Sequence, residues 1–162
     1  MSEFISKVTT EQKKIRDLKY TLYTYGVYDA DKNKCAWSCV IVDRYDQKTN
    51  ISCAEETMTD YKRAELTSII EGIKWIYLTV TKSYRKYIKI TLCSSNIFPV
   101  NILREYLDLW KDDIDTRPNS DLLKELILLK SKICLDIKWV SKSHNEHSWN
   151  VIKITNDKIN TN

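Results

Sequence analysis

Asp60-Tyr61-Lys62-Arg63-Ala64-Glu65-Leu66, continuing as Thr67-Ser68-Ile69-Ile70-Glu71-Gly72-Ile73-Lys74-Trp75-Ile76, is the stretch that decides how this chain folds. Leu66, Ile69, Ile70, Ile73 and Ile76 recur at helical spacing and form one apolar face. Glu65 stands one residue before that face opens. The spacing predicts it in the first helical turn, where the helix dipole favours an anion. A carboxylate there is either a good helix-start residue or a metal ligand, and the helix alone does not choose between them.

The chain around this helix has 162 residues, enough for one domain with a full core. With 43% apolar and 30% charged residues it reads as a soluble globular protein rather than a disordered one. Only Gly26, Gly72, Pro99 and Pro118 are available as the usual turn formers, so turns fall to Asn, Asp and Ser. No apolar run reaches bilayer-spanning length and no signal-peptide core opens the chain, so an intracellular protein of cytoplasm or nucleus, without a membrane partner, is expected. Cysteines 35, 39, 53, 93 and 134 are odd in number and contain no Cys-x-x-Cys pair. They read as reduced, small buried hydrophobes. A zinc site from Cys35, Cys39, His144 and His147 is disfavoured, because residues four apart on a strand lie about 13 Å apart. The net charge of +4 allows a polyanionic partner without demanding one.

Residues 1–18 read as a polar arm or short helix, and 19–162 as the folded domain. Alternating Tyr, Leu and Thr predict a first strand over 19–25. Residues 29–33 are a polar turn. Two further strands, 36–42 and 49–54, flank a hairpin turn at 43–47. After the helix come a fourth strand over 87–93, a helix over 98–110, an acidic break at 112–115 and a helix over 121–131 capped by Asn119 or Ser120. A fifth strand over 135–141 and a last helix over 149–159 close the chain. Trp75, Trp110, Trp139 and Trp149 read as core or half-buried anchors. The expected class is α/β: a mixed five-stranded sheet, three antiparallel strands first, with helices on both faces.

That order resembles the type 1 ribonuclease H fold, over about residues 19 to 158. Tyr23-Thr24-Tyr25-Gly26 resembles the family's opening Thr-Asp-Gly strand end, and Asp60 to Leu66 its Asn-x-(Arg)-x-Glu-Leu helix start. Leu92 to Phe98 resembles the Thr-Asp-Ser-x-Tyr segment, and Asn119-Ser120-Asp121-Leu122 the Asn-x-Asp-Leu start of a later helix. Lys138-Trp139-Val140-Ser141-Lys142-Ser143-His144, then Asn150, resembles the closing Trp-x-Lys-x-His…Asn-x-x-x-Asp segment. The resemblance implies four carboxylates holding two divalent ions that cleave the RNA strand of an RNA–DNA hybrid. Hard cations take oxygen ligands, and an in-line displacement wants charge at both apical oxygens.

At the positions the resemblance assigns, this sequence keeps Glu65 and the loop histidine, His144, but has Tyr25, Ser95 and Ile154 where the other three acids would stand. The expectation is therefore an inactive remnant of a catalytic site, with no metal and no cofactor. Asp29, Asp31 and Asp157 are the acids near enough in sequence to rescue a rearranged site. Tyr61, Lys62 and Arg63 at the helix start, with Lys82, Arg85 and Lys86 near Tyr84 further on, are the expected contacts to RNA, DNA or a hybrid. The function expected is nucleic-acid binding or a structural part in a nucleic-acid-handling protein complex. The rivals are an active hybrid ribonuclease with a rearranged metal site and a pure protein-interaction scaffold.

Overall fold

A computed structural model describes residues 10–57 and 60–161. Its five strands form one sheet in the order β3-β2-β1-β4-β5. β1 (Lys19–Asp29), β2 (Lys34–Val42) and β3 (Lys48–Glu55) make an antiparallel meander. The two turns within it manage without glycine. Asp29 Oδ1 accepts the N–H groups of Asp31 and Lys32, Asp43 Oδ1 those of Tyr45 and Gln47, and Asn33 and Asp46 take the left-handed backbone. β1 runs four residues further than predicted, because its pairing with β2 continues through Tyr28–Cys35 to Asp29–Lys34. Of the predicted N-terminal arm, residues 10–16 are helical (α1); 1–9 lie outside the described residues.

Helix α2 (Tyr61–Thr79) follows Asp60, whose side chain accepts the Lys62 N–H at 3.0 Å. This cap places Glu65 in the second turn rather than the first, so the dipole of an open helix end does not explain it. The crossover through α2 sets β4 (Lys89–Ser94) parallel to β1, and β5 (Cys134–Trp139) adds parallel to β4.

Strand alternation sends neighbouring residues to opposite layers. Leu22, Ile41, Leu92 and Ile137 meet Leu66, Ile69, Ile70, Ile73 and Ile76 of α2 and the leucines of α5 (Ser120–Lys132). On the other side, Tyr23, Val40, Val42 and Cys93 meet Val151 and Ile152 of α6 (Glu146–Asn160). β2 lies between the two layers, and its residues from Cys35 to Val42 are buried without a break.

Some sequence expectations need correction. The helix predicted over 98–110 is α3 (Ile97–Asn101), a π-helical stretch Ile102–Tyr106 and a last turn, α4 (Leu107–Leu109). There the Leu107 N–H bonds back five residues to Ile102 O, and Ile102, Leu103 and Leu107 are all buried. Cys134 is exposed, because it opens the edge strand β5. Trp139, ending that edge, and Trp149, on the outer side of α6, are 52% and 60% exposed, so neither is a core anchor. Trp75 and Trp110 do pack against the α2 layer. No helix among the described residues is long and apolar enough to cross a membrane.

Ile70 is 1% exposed at the centre of the α2 stripe. Ile70→Ala is expected to lower unfolding free energy by about 2–5 kcal/mol in urea denaturation, through lost burial and a residual cavity. A loss within about 0.5 kcal/mol, the usual range of surface substitutions, would contradict the packing described.

Candidate functional site

The site forms where β1 outruns β4. Parallel pairing ends at Thr24–Ser94, so Gly26 has no β4 residue opposite it. Its N–H donates instead to Glu65 Oε1 at 2.9 Å. The approach of α2 here is close: a Cβ on residue 26 would stand 2.6 Å from Glu65 N and 2.9 Å from Ala64 Cβ. Glycine is required for that contact, not for an unusual backbone angle. Asn96, in the turn after β4, donates its side-chain N–H to the same Glu65 oxygen. Glu65 has no solvent exposure, and its Oε2 has no partner among the described residues. Burial pushes its carboxyl up to about 7, against the opposing pull of the Gly26 and Asn96 hydrogen bonds.

Tyr25 occupies the opposite face of β1 and packs with Ile154 against the α6 layer. Its phenol is pushed up by burial and by the Glu65 charge, so it stays protonated. Ser95 is half-buried, and its carbonyl accepts the Trp139 indole N–H at 3.0 Å. Asp29 lies four residues beyond Tyr25, about 13 Å along the strand, with Oδ1 engaged in its own turn. Asp31 shares that turn, and Asp157 begins the last turn of α6, which Lys32 ties to the same hairpin through Ile159 O and Asn160. The three acids therefore gather at the hairpin rather than beside Glu65. Among the described residues no group of three or more His, Cys, Asp or Glu is placed to hold a metal ion.

His144 is exposed in the loop before α6, its N–H bonded to Ser141 O, and it is not a partner of Glu65. The buried histidine is His147, packed 5.4 Å from the Tyr23 ring and 3.7 Å from both Asp46 and Glu146.

The expected basic contacts split into two groups. Tyr61 and Lys62 stand at the start of α2 around Phe98, with Lys62 Nζ 5.3 Å from its ring centre. Arg63 is committed elsewhere, paired through both terminal nitrogens with Asp121 and bonded to Asn119. That pair holds the Asp121 carboxyl down to about 2. Lys82, Arg85 and Lys86 lie beyond the other end of the 19-residue α2, about 28 Å away by helix rise. Arg85 bonds Val80 O and covers the Tyr77 ring, and Lys86 covers Tyr87.

No protein-family model matches the chain. Ribonuclease HI of Neisseria meningitidis serogroup B is 27% identical to it over 135 residues, spanning 80% of this chain and 86% of that protein. Among solved structures, LC11 ribonuclease H1, isolated from compost, is similar with a TM-score of 0.67 at 14% identity, covering 88% of this chain and 99% of that one. Ribonuclease H1 of the halophilic archaeon Halobacterium salinarum gives 0.62 at 14%, covering 87% and 97%. A structure of LC11 ribonuclease H1 in complex with an RNA/DNA hybrid gives 0.65 at 13%, covering 88% and 99%.

The fold is that of ribonuclease H type 1. Whether the residues present suit the paired divalent ions of that fold is a question of donor chemistry. At the positions the resemblance assigns stand a phenol, a serine and an isoleucine in place of three acids, and the Glu65 carboxylate is capped on one oxygen by two protein donors. A cation bound to Oε1 would have to displace Asn96 or face two N–H dipoles of its own sign. One carboxylate is also too little charge to hold two dications against their hydration. The residues do not fit the pair.

Sequence reading found Glu65 but missed its partners. Gly26 carried a usable signal, since a glycine inside a strand marks a close backbone approach. Asn96 carried none beyond its place next to Ser95.

The Glu65 environment predicts a pH profile. A carboxyl raised in the folded state from the ordinary 4.5 to about 7 makes the fold bind more protons than the unfolded chain across that window. Stability is fullest below 4.5, falls as pH rises towards 7 and levels above it. At about 1.4 kcal/mol per pH unit the decline attributable to Glu65 is about 3 kcal/mol. In Glu65→Gln that decline should vanish, leaving the variant at least as stable as the parent at pH 8. Parallel stability–pH curves for the two proteins would refute this.

Proposed function

We propose that this ribonuclease H-fold chain binds nucleic acid, an RNA–DNA hybrid above all, without cleaving it. The observation that carries the reading is the capped, fully buried Glu65 with Tyr25, Ser95 and Ile154 at the companion positions. Hydrolysis by paired cations needs charge at the attacking and leaving oxygens, and this end of the sheet supplies neither the ligands nor an open carboxylate. Binding needs less: cationic and aromatic groups facing the backbone. Lys62 and Tyr61 offer both at the start of α2, while Arg63 would have to leave Asp121 first. The hybrid bound by LC11 ribonuclease H1 supports the choice of ligand by likeness of fold.

Two measurements test this. Incubation of the chain with labelled hybrid in magnesium or manganese is expected to leave the RNA strand intact, while the same hybrid binds with an affinity that falls steeply with salt. Lys62→Ala is expected to reduce the salt slope by about one, the share of a single phosphate contact. Metal-dependent cleavage would restore the active-enzyme reading. Absence of hybrid binding at low salt, or equal competition by an acidic non-nucleic polymer, would favour the protein scaffold.

The replaced positions admit a complementary test. Magnesium should not raise the melting temperature of the parent, because a ligand stabilises only what it binds in the native state. Tyr25→Asp, Ser95→Asp and Ile154→Asp combined are expected to create a magnesium-dependent rise. A rise of the same size in the parent would show a cation site that Glu65 does not exclude.

A further inference from the structure

Helix α6 covers β1, β2 and β3 on its side of the sheet. Beyond Cys93, which the edge of that layer covers, no helix among the described residues packs over β4 and β5 there. The uncovered face is defined by register. Lys19 of β1 is opposite Lys89 of β4, which is opposite Cys134 of β5. One step along, Thr21 and Thr91 stand side by side with Asp136 beyond them. At the third step Tyr23 and Cys93 pass under the edge of the α6 layer, and Lys138 lies beyond them. From Lys19 to Tyr23 the face runs about 13 Å along the strands.

Two concavities of about 510 and 600 Å³ lie on this face and share Thr21 and Thr91, so they form one trough. Each is of ligand-binding size. The first is flanked by the hairpin residues Asp43 and Arg44, the second by Trp139 and His144. The floor is hydroxyl and thiol rather than aliphatic, unlike a face meant for another apolar helix. Its charge is one-sided: Lys19, Lys89, Lys138 and Arg44 against Asp43 and Asp136. Arg44 is drawn to Asp17 at 3.4 Å and Lys138 to Asp136 at 3.9 Å. Lys19 and Lys89, adjacent and exposed, have no ion-pair or hydrogen-bond partner for their ammonium groups among the described residues. Two like charges side by side on a sheet are unfavourable unless an anion lies between them.

We propose that this trough is a second nucleic-acid site, separate from the Glu65 end, that takes a short single strand. Its phosphates lie over Lys19 and Lys89, and its sugar and base hydroxyl and amine groups meet Thr21 and Thr91. A duplex is too wide to seat its bases on the strands, whereas a single strand can lay its base edges and its backbone on them together. The inference rests on the proposed nucleic-acid function, and Cys134 allows the two to be separated. Among the described residues it is the one exposed cysteine, and it sits at the Lys19–Lys89 end of the trough.

The test measures alkylation of Cys134 in the full chain by a neutral maleimide, with oligo-dT, oligo-U or RNA–DNA hybrid at saturating concentration. Single strands are expected to slow the reaction at least fivefold, and hybrid to leave it unchanged. Lys19→Glu with Lys89→Glu should weaken single-strand binding by about tenfold or more and steepen nothing else, with hybrid affinity retained; both are exposed, so folding is spared. Trp139→Leu, whose ring lies on the other face of the sheet beside Ser95, should leave single-strand binding unchanged. Hybrid binding with no single-strand protection of Cys134 would overturn the trough while leaving the proposed function standing. Failure of every nucleic acid to bind would remove both. Protection by an acidic peptide equal to that by oligo-dT would reassign the trough to a protein partner.

Discussion

The contact between Gly26 and Glu65 fixes much of the rest. Helix α2 can lie on β1 only because residue 26 has no side chain, with Glu65 N 2.6 Å from where a Cβ would be. Once the helix is that close, the first carboxylate along it is carried into the protein with no exposure. A buried carboxylate must be hydrogen-bonded or protonated. The unpaired N–H of Gly26 and the amide of Asn96 meet the first condition at one oxygen, and a carboxyl raised to about 7 meets the second. The same approach sets the rotation of the helix, which brings Leu66, Ile69, Ile70, Ile73 and Ile76 onto the sheet together.

What was legible in the sequence follows from this geometry. The α2 stripe and the alternating strands write their period directly into residue order, so element order and the parallel placement of β4 could be read. The position of Glu65 was misread by one turn because a helix start depends on which polar residue caps it, and Asp60 rather than a later residue does so. The π-helical stretch was illegible for a different reason. Ile102, Leu103 and Leu107 fit an ordinary helical pattern, and only packing reveals the extra residue in the turn. Cys134 and Trp139 look like core residues by type. Their exposure comes from β5 being an edge strand, which follows from topology and not from composition.

The candidate site was half legible. Likeness of pattern assigned its positions but said nothing of their surroundings. Arg63 is the clearest case. In sequence it adjoins Lys62 and reads as part of one basic patch; in three dimensions it turns to Asp121 and Asn119 and joins α2 to α5. The basic residues that follow α2 seemed to extend the same patch, yet helix rise alone puts them about 28 Å away. Charge runs in sequence become surfaces only when the element between them is short.

Tyr25 and Ile154 give the final step. Acids at these two positions would repel each other and need a cation to remain together. A phenol and an aliphatic side chain instead join the layer formed by Tyr23, Val40, Val42, Val151 and Ile152, so the same juncture now contributes burial. Packed through that layer, α6 settles on β1 through β3 down to Ile159, whose carbonyl and that of Thr161 are held by Lys32 and Lys34 of the hairpin. Because α6 is seated there, it reaches only the Cys93 end of β4 and leaves the rest of β4 and β5 open, and polar side chains facing water are the stable choice there. The chemistry of the open face is thus tied to the apolar packing at the juncture through the seat of one helix.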